Sequence, residues 1–151
     1  MACTPSLSWA QGRSRNRDTL MQDSADARML KILVVDDNRD AAATLGTLLR
    51  LWGHEVCVTT NGAEALTAAP SFLPDLVLLD VEMPKMHGGK VAEALREMPE
   101  LKWTSIVAIS GTDPEDSRLQ SYRFLFDNYL IKPYNLERLE RLVGSSALAH
   151  S

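Results

Sequence analysis

The chain has 151 residues, 45% of them apolar and 24% charged, and a net charge of −4; this is the length of one domain with room for a core, and the acidic balance argues against nucleic acid as a direct partner. No apolar stretch is long enough to span a membrane, and no apolar h-region of a secretory signal opens the chain. The two cysteines, Cys3 and Cys57, fit no metal site, so a cytoplasmic protein without a disulfide is expected.

Residues 1–28 are polar, with Arg13, Arg15 and Arg17 set among Gly, Ser and Asn, and read as a flexible tail. Met21 and Met29 leave a later start open. From Leu30 strand and helix alternate. Lys31–Val35 is the first strand. Asn38 caps a helix over Ala41 to Leu51, with Leu45, Leu48, Leu49 and Leu51 at helical spacing, and Gly53 ends it. Glu55–Thr59 is the second strand. Asn61-Gly62 leads into a short helix that Pro70 is expected to stop. Asp75–Leu79 is the third strand, Pro84 to Gly89 a loop, and Lys90–Met98 a helix. Ser105–Ile109 is the fourth strand. Pro114 opens a helix to about Arg123. Asn128–Ile131 is the fifth strand, and Asn135 caps a last helix carrying Leu136, Leu139, Leu142 and Val143. The expected division is a tail over 1–28, a domain over 29–144 and a short tail over 145–151.

Short runs of Val, Ile and Leu read as strands buried on both faces, hence a parallel sheet. Five strands alternating with five helices give a doubly wound α/β sandwich of three layers, with flavodoxin-like strand order 2-1-3-4-5. Asp36 and Asp37 follow the first strand, Asp80 the third and Lys132 the fifth. All then lie on the carboxyl edge of the sheet, where open α/β sheets bind ligands. Three carboxylates there repel one another unless a cation joins them, and one lysine does not balance all three. The pattern points to a site for a divalent cation and a phosphoryl group.

Five features in this order carry a resemblance: Asp36-Asp37, Asp80, Ser110-Gly111, Tyr129 and Lys132-Pro133. With the α/β pattern between them, the chain resembles the receiver domain of two-component response regulators (CheY-like) over about residues 30–143. The resemblance implies that Asp80 accepts a phosphoryl group, forming an acyl phosphate. It implies Mg²⁺ as cofactor, bound directly by Asp37 and Asp80, through water by Asp36, and by the backbone carbonyl of Glu82. Lys132 would pair with Asp80 and then with the phosphoryl group, and Ser110 would donate a hydroxyl hydrogen bond to it. Gly111 would leave room for that group, and Pro133 would follow a cis bond. Tyr129 would be the switch aromatic beside Ser110.

The implied function is a single-domain receiver. It takes its phosphoryl group from a histidine kinase or a histidine phosphotransfer protein and switches contacts with a downstream protein target. The switching face would combine the fourth helix, fifth strand and fifth helix. The protein would catalyse its own phosphoryl transfer and dephosphorylation without being a metabolic enzyme. Its expected state is a monomer or a phosphorylation-linked dimer, without direct nucleic-acid or membrane contact.

Three other readings differ in residue type. A pseudo-receiver would serve only as a protein-interaction module, against the presence of every charged site residue. A dehalogenase-type phosphatase wants a second Asp where Glu82 stands. A flavodoxin-like nucleotide binder wants a phosphate loop after the first strand.

Some positions depart from the family pattern. His87 stands where Asp is common and reads as a solvated loop residue rather than a relay donor or metal ligand. Phe124, Leu125 and Phe126 replace a small-residue turn; Leu125 reads as core, while core and exposed patch stay open for the two phenylalanines. Glu82 and Thr112 match positions that tune acyl-phosphate lifetime in the family.

Overall fold

The computed structural model describes residues 29–84, 86–111 and 122–149. Its strands are β1 (Lys31–Val35), β2 (Glu55–Thr59), β3 (Leu76–Asp80), β4 (Ser105–Ser110) and β5 (Asn128–Ile131). They pair in parallel in the order β2-β1-β3-β4-β5, as expected. The helices are α1 (Arg39–Leu51), α2 (Gly62–Phe72), α3 (Gly88–Arg96) and α4 (Leu136–Ala149), with 3₁₀ turns at Pro99–Leu101 and Arg123–Leu125. The helix expected from Pro114 falls, up to residue 121, outside the described residues, as do the tail over 1–28 and Thr112. The last helix of the five read from the sequence is therefore α4.

Successive strand residues point to opposite faces, and the sheet sorts its apolar side chains accordingly. Ile32, Val34, Leu76, Leu78, Val107 and Ile109 pack with Ala42, Leu45 and Leu49 of α1 and with Leu139 and Val143 of α4. Leu33, Val35, Val77, Leu79, Ile106 and Ala108 pack with Ala65, Ala69 and Phe72 of α2 and with Val91, Ala92 and Leu95 of α3. Two cores back to back make the three-layer sandwich. With β1 between β2 and β3, the chain turns one way after β1 and the other way after β2. The crevice of that reversal opens at the carboxyl ends of β1 and β3.

Local chemistry sets the helix ends. Asn38 caps α1, its side chain accepting from the Ala41 amide. Gly53 takes φ 97° beyond its end, a region glycine enters without Cβ strain. At α2, Asn61 accepts from the Glu64 amide while Glu64 accepts from the Thr60 amide, so the two side chains cap reciprocally.

Several expectations need correction. Pro70 does not stop α2, which runs on to Phe72. Proline forfeits only its own N–H bond, and Leu73, left-handed at φ 54°, closes the helix by donating to Ala69 O at 2.8 Å. β3 lies one residue later than expected because Asp80 itself pairs with Ile109. α4 runs from Leu136 to Ala149. Cys57 is buried in β2, and Cys3 lies outside the described residues. Leu125 is core as expected; of the two phenylalanines left open, Phe126 is core and Phe124 is 83% exposed. No helix among the described residues is long and apolar enough to cross a membrane.

Candidate phosphoryl-acceptor site

Asp36 follows β1 directly. Its amide donates to Thr59 O at 3.2 Å, which extends the β1–β2 pairing by one residue. Its carboxylate accepts from the Asn38 amide at 3.0 Å and is nearly buried, while Asp37 faces solvent. Asp80 is the last residue of β3 and only 4% exposed. Its Oδ1 accepts from the Glu82 amide at 2.9 Å, and its Oδ2 lies 3.4 Å from Lys132 Nζ. Carboxylate oxygens of Asp36, Asp37 and Asp80 lie within 4.8 Å of one another.

The fifth strand delivers Lys132. The Lys132 amide donates to Ser110 O at 2.7 Å, tying the ends of β4 and β5 together. The Lys132-Pro133 bond is cis, as the resemblance implied. Ser110 is 2% exposed at the end of β4. Glu82 reaches across from the end of β3, and its carboxylate accepts from the Gly111 amide at 2.9 Å. A Cβ on Gly111 would meet that carboxylate at 3.2 Å, so the absence of a side chain there keeps the approach open. Tyr129 is half-buried; its hydroxyl donates to Arg123 O at 3.2 Å and its ring meets Phe126 edge-on.

Burial raises the Asp80 carboxyl above its ordinary value. The Glu82 amide and the Lys132 charge pull it back, and Asp36 pushes it up again. For Lys132 burial works downward, but Asp80, Asp36 and Glu82 together outweigh it and hold the ammonium above its ordinary value. The lysine is thus a firm cation beside a carboxylate that burial discourages from ionising. Three converging carboxylates form a hard-oxygen donor set that suits Mg²⁺.

Two contacts escaped the sequence reading. His87 is no solvated loop residue: it is half-buried, caps α3 by accepting the Gly89 amide on Nδ1, and stacks on Tyr122. Arg96, at the end of α3, binds the Asp127 carboxylate at 2.6 Å and donates to the carbonyls of Thr104 and Leu125. A ring or guanidinium at a helix end was the available signal, but Tyr122, Leu125 and Asp127 lie some thirty residues away.

Comparison with known proteins places these residues in context. A family model described as response regulator receiver domain matches residues 32–144. The transcriptional regulatory protein PrrA of Mycobacterium tuberculosis is 38% identical over 109 residues, covering 72% of this chain and 46% of that protein. The chain thus spans about half the length of such curated relatives. The chemotaxis protein CheY4 of Vibrio cholerae superposes with a TM-score of 0.73 at 28% identity, over 79% of this chain and 99% of that one. The response regulator TrrA of Thermotoga maritima, solved in complex with Mg(2+)-BeF, gives 0.69 at 33% identity, over 78% and 99%.

Proposed function

The chain belongs to the response regulator receiver domain family, signalling modules rather than metabolic enzymes, and from that premise we propose that Asp80 accepts a phosphoryl group from a phosphohistidine. The donor is a histidine kinase or a histidine phosphotransfer protein. One observation carries the reading: a nearly buried carboxylate at the end of the central strand, with a lysine at 3.4 Å and oxygens of two further carboxylates within 4.8 Å.

The reaction follows from the chain's own groups. An ionised oxygen of Asp80 attacks phosphorus, the P–N bond to the donor imidazole breaks, and the imidazole nitrogen keeps the electron pair. The Glu82 amide holds Oδ1 and so fixes the carboxylate plane, which serves in-line attack by positioning. Lys132 stabilises ionised Asp80 at rest and turns to a phosphoryl oxygen afterwards; a compact ammonium on a flexible stem suits that exchange. Ser110, beside it on β4, donates its hydroxyl to the same group. Gly111 offers its amide once the Glu82 carboxylate gives way.

Asp37, Asp80 and the Glu82 carbonyl would hold Mg²⁺, with Asp36 joining through a bound water. When bound, the ion neutralises the carboxylates and the phosphoryl oxygens. Transfer then biases a two-state equilibrium, with Tyr129 moving with Ser110 and the β5–α4 side meeting a downstream protein. Turning a mostly inactive population into a mostly active one needs about 5 kcal/mol of differential binding. Charge-assisted bonds from Lys132 and Ser110 are of the strength that can supply it.

Intact mass after incubation with acetyl phosphate and Mg²⁺ tests the proposal. One labile phosphoryl adduct is expected, absent from Asp80→Asn and absent with chelator. An adduct of equal yield on Asp80→Asn would sink the assignment.

A further inference from the structure

The start of α3, His87-Gly88-Gly89, is wedged between the acceptor strand and a residue that the site does not use. On one side Gly88 presses on the end of β3. A Cβ there would come within 2.4 Å of Val81 Cα and 2.9 Å of Asp80 O, and its amide donates to Val81 O at 3.1 Å. On the other side lies Tyr122. The His87 ring stacks on it, with centroids 5.6 Å apart and planes 28° apart. A Cβ on Gly89 would overlap the same ring at 2.2 Å. Two adjacent glycines therefore allow close contact on different sides, one toward Asp80 and one toward Tyr122.

From Tyr122 the chain enters the Arg123–Leu125 turn, which carries the exposed Phe124. That turn is gripped at three points. His87 and Gly89 hold Tyr122, Arg96 at the other end of α3 donates to Leu125 O at 3.2 Å, and Tyr129 donates to Arg123 O at 3.2 Å. Two grips come from α3 and one from β5. Capping alone does not explain His87, because Asn at the same position would accept the Gly89 amide as well. What histidine adds is the ring.

We infer that the His87–Tyr122 stack is a second output joint, by which the state of Asp80 reaches the Phe124 turn along α3 and independently of Tyr129. The inference rests on the acceptor role of Asp80 proposed above. Any group joined to Asp80 competes with the Glu82 amide and Lys132 for the carboxylate oxygens. It thereby shifts the short backbone run on which Gly88 rests. Close-packed contacts pass such a shift on rather than absorb it. Because the ring pair joins the two ends, the coupling is carried by a definite contact that can be removed.

The test uses the full chain, ¹⁵N-labelled and titrated with Mg²⁺ and BeF₃⁻ as the acyl-phosphate mimic. Amide shifts at Glu82 and Gly111 report occupancy of the site, and those at residues 122–126 report the joint. Wild type is expected to respond at both. His87→Asn, which keeps the cap and removes the ring, is expected to respond at Glu82 and Gly111 and to lose the response at 122–126. Tyr122→Phe, which keeps the ring, is expected to retain both, and Tyr129→Phe to leave a response at Tyr122. A response at 122–126 in His87→Asn as large as in wild type overturns the inference. So does wild type that responds at Glu82 but not at 122–126, and so does failure of His87→Asn to bind. Wild type silent at Glu82 and Gly111 removes the acceptor reading itself, and the joint with it.

Discussion

Along β3 all five residues are buried, whereas along β5 only Leu130 is, with Tyr129 half-covered and Asn128 and Ile131 open to solvent. β3 is central, flanked by β1 and β4; β5 is an edge. The site takes Asp80 from the first and Lys132 from the end of the second. The central strand is held by apolar contact on both faces. The edge strand is held largely by polar contact. Asp127, just before β5, accepts from the Ile106 amide at 2.8 Å and from Arg96 at 2.6 Å, and Arg138 of α4 donates to Tyr129 O at 3.1 Å. A firmly held carboxylate thus stands beside a more loosely held cation, and low-stability elements are the ones that move.

Substitution in the two strands is the most forceful way to break this contrast. Leu78→Ala in β3 is expected to cost about 2–5 kcal/mol, since a fully buried leucine leaves a cavity behind. Ile131→Ala in β5, with 44% of the residue exposed, is expected to stay within about 0.5 kcal/mol. Urea midpoints measure both. Equal losses would mean that β5 is anchored as firmly as β3 and that the contrast is only one of exposure.

The next effect in size sharpens the polar half. Arg96→Ala removes a guanidinium that joins the Asp127 carboxylate and two carbonyls. Hydrogen bonds to a charged group are worth roughly 1.5–3 kcal/mol each when sheltered. Arg96 and Asp127 are 25% and 52% exposed, so solvent screening discounts them and a loss of about 1–2 kcal/mol is expected. The sharper observable is local. Hydrogen exchange at Tyr129 and Leu130 should quicken well before exchange at Leu78. Uniform quickening across the sheet would show that Arg96 supports the whole fold instead of its edge.

The same contrast explains what the sequence made legible. Strands buried on both faces announce themselves by unbroken Val, Ile and Leu, so β1 and β3 could be read together with the acidic residues that close them. β5 was legible only through its own Tyr129 and the Lys132-Pro133 that follows it. Contacts between elements away from the carboxyl edge of the sheet were not legible. Nothing in Phe124-Leu125-Phe126 says which ring turns inward, because a 3₁₀ turn follows neither the strand nor the helix period. Arg96 with Asp127 and His87 with Tyr122 lie too far apart along the chain for spacing to pair them. Pro70 misled for a simpler reason: a proline in the last turn of a helix removes one bond and need not end it.

The smallest expected effect lies in β3 itself, where apolar contact ends in a carboxylate. Burial raises the folded pKa of Asp80 above the ordinary 3.8, with Glu82 N–H and Lys132 offsetting part of it. The folded state therefore binds the Asp80 proton more tightly than the unfolded chain does. Its penalty for the charged form is present above the folded pKa and is relieved as pH falls from there toward 3.8. Without divalent ion, Asp80→Asn should be modestly more stable than wild type at pH 7, and the difference should shrink on acidification through that window. Added Mg²⁺ should reverse the order, because an ion that binds only the folded wild type stabilises it by mass action. Thermal melts at several pH values, with and without Mg²⁺, measure both. An Asn variant less stable than wild type at pH 7 in chelator would show that the Lys132 pair outweighs burial. The edge strand would then hold the acceptor more tightly than a 3.4 Å contact to a lysine side chain 37% exposed suggests.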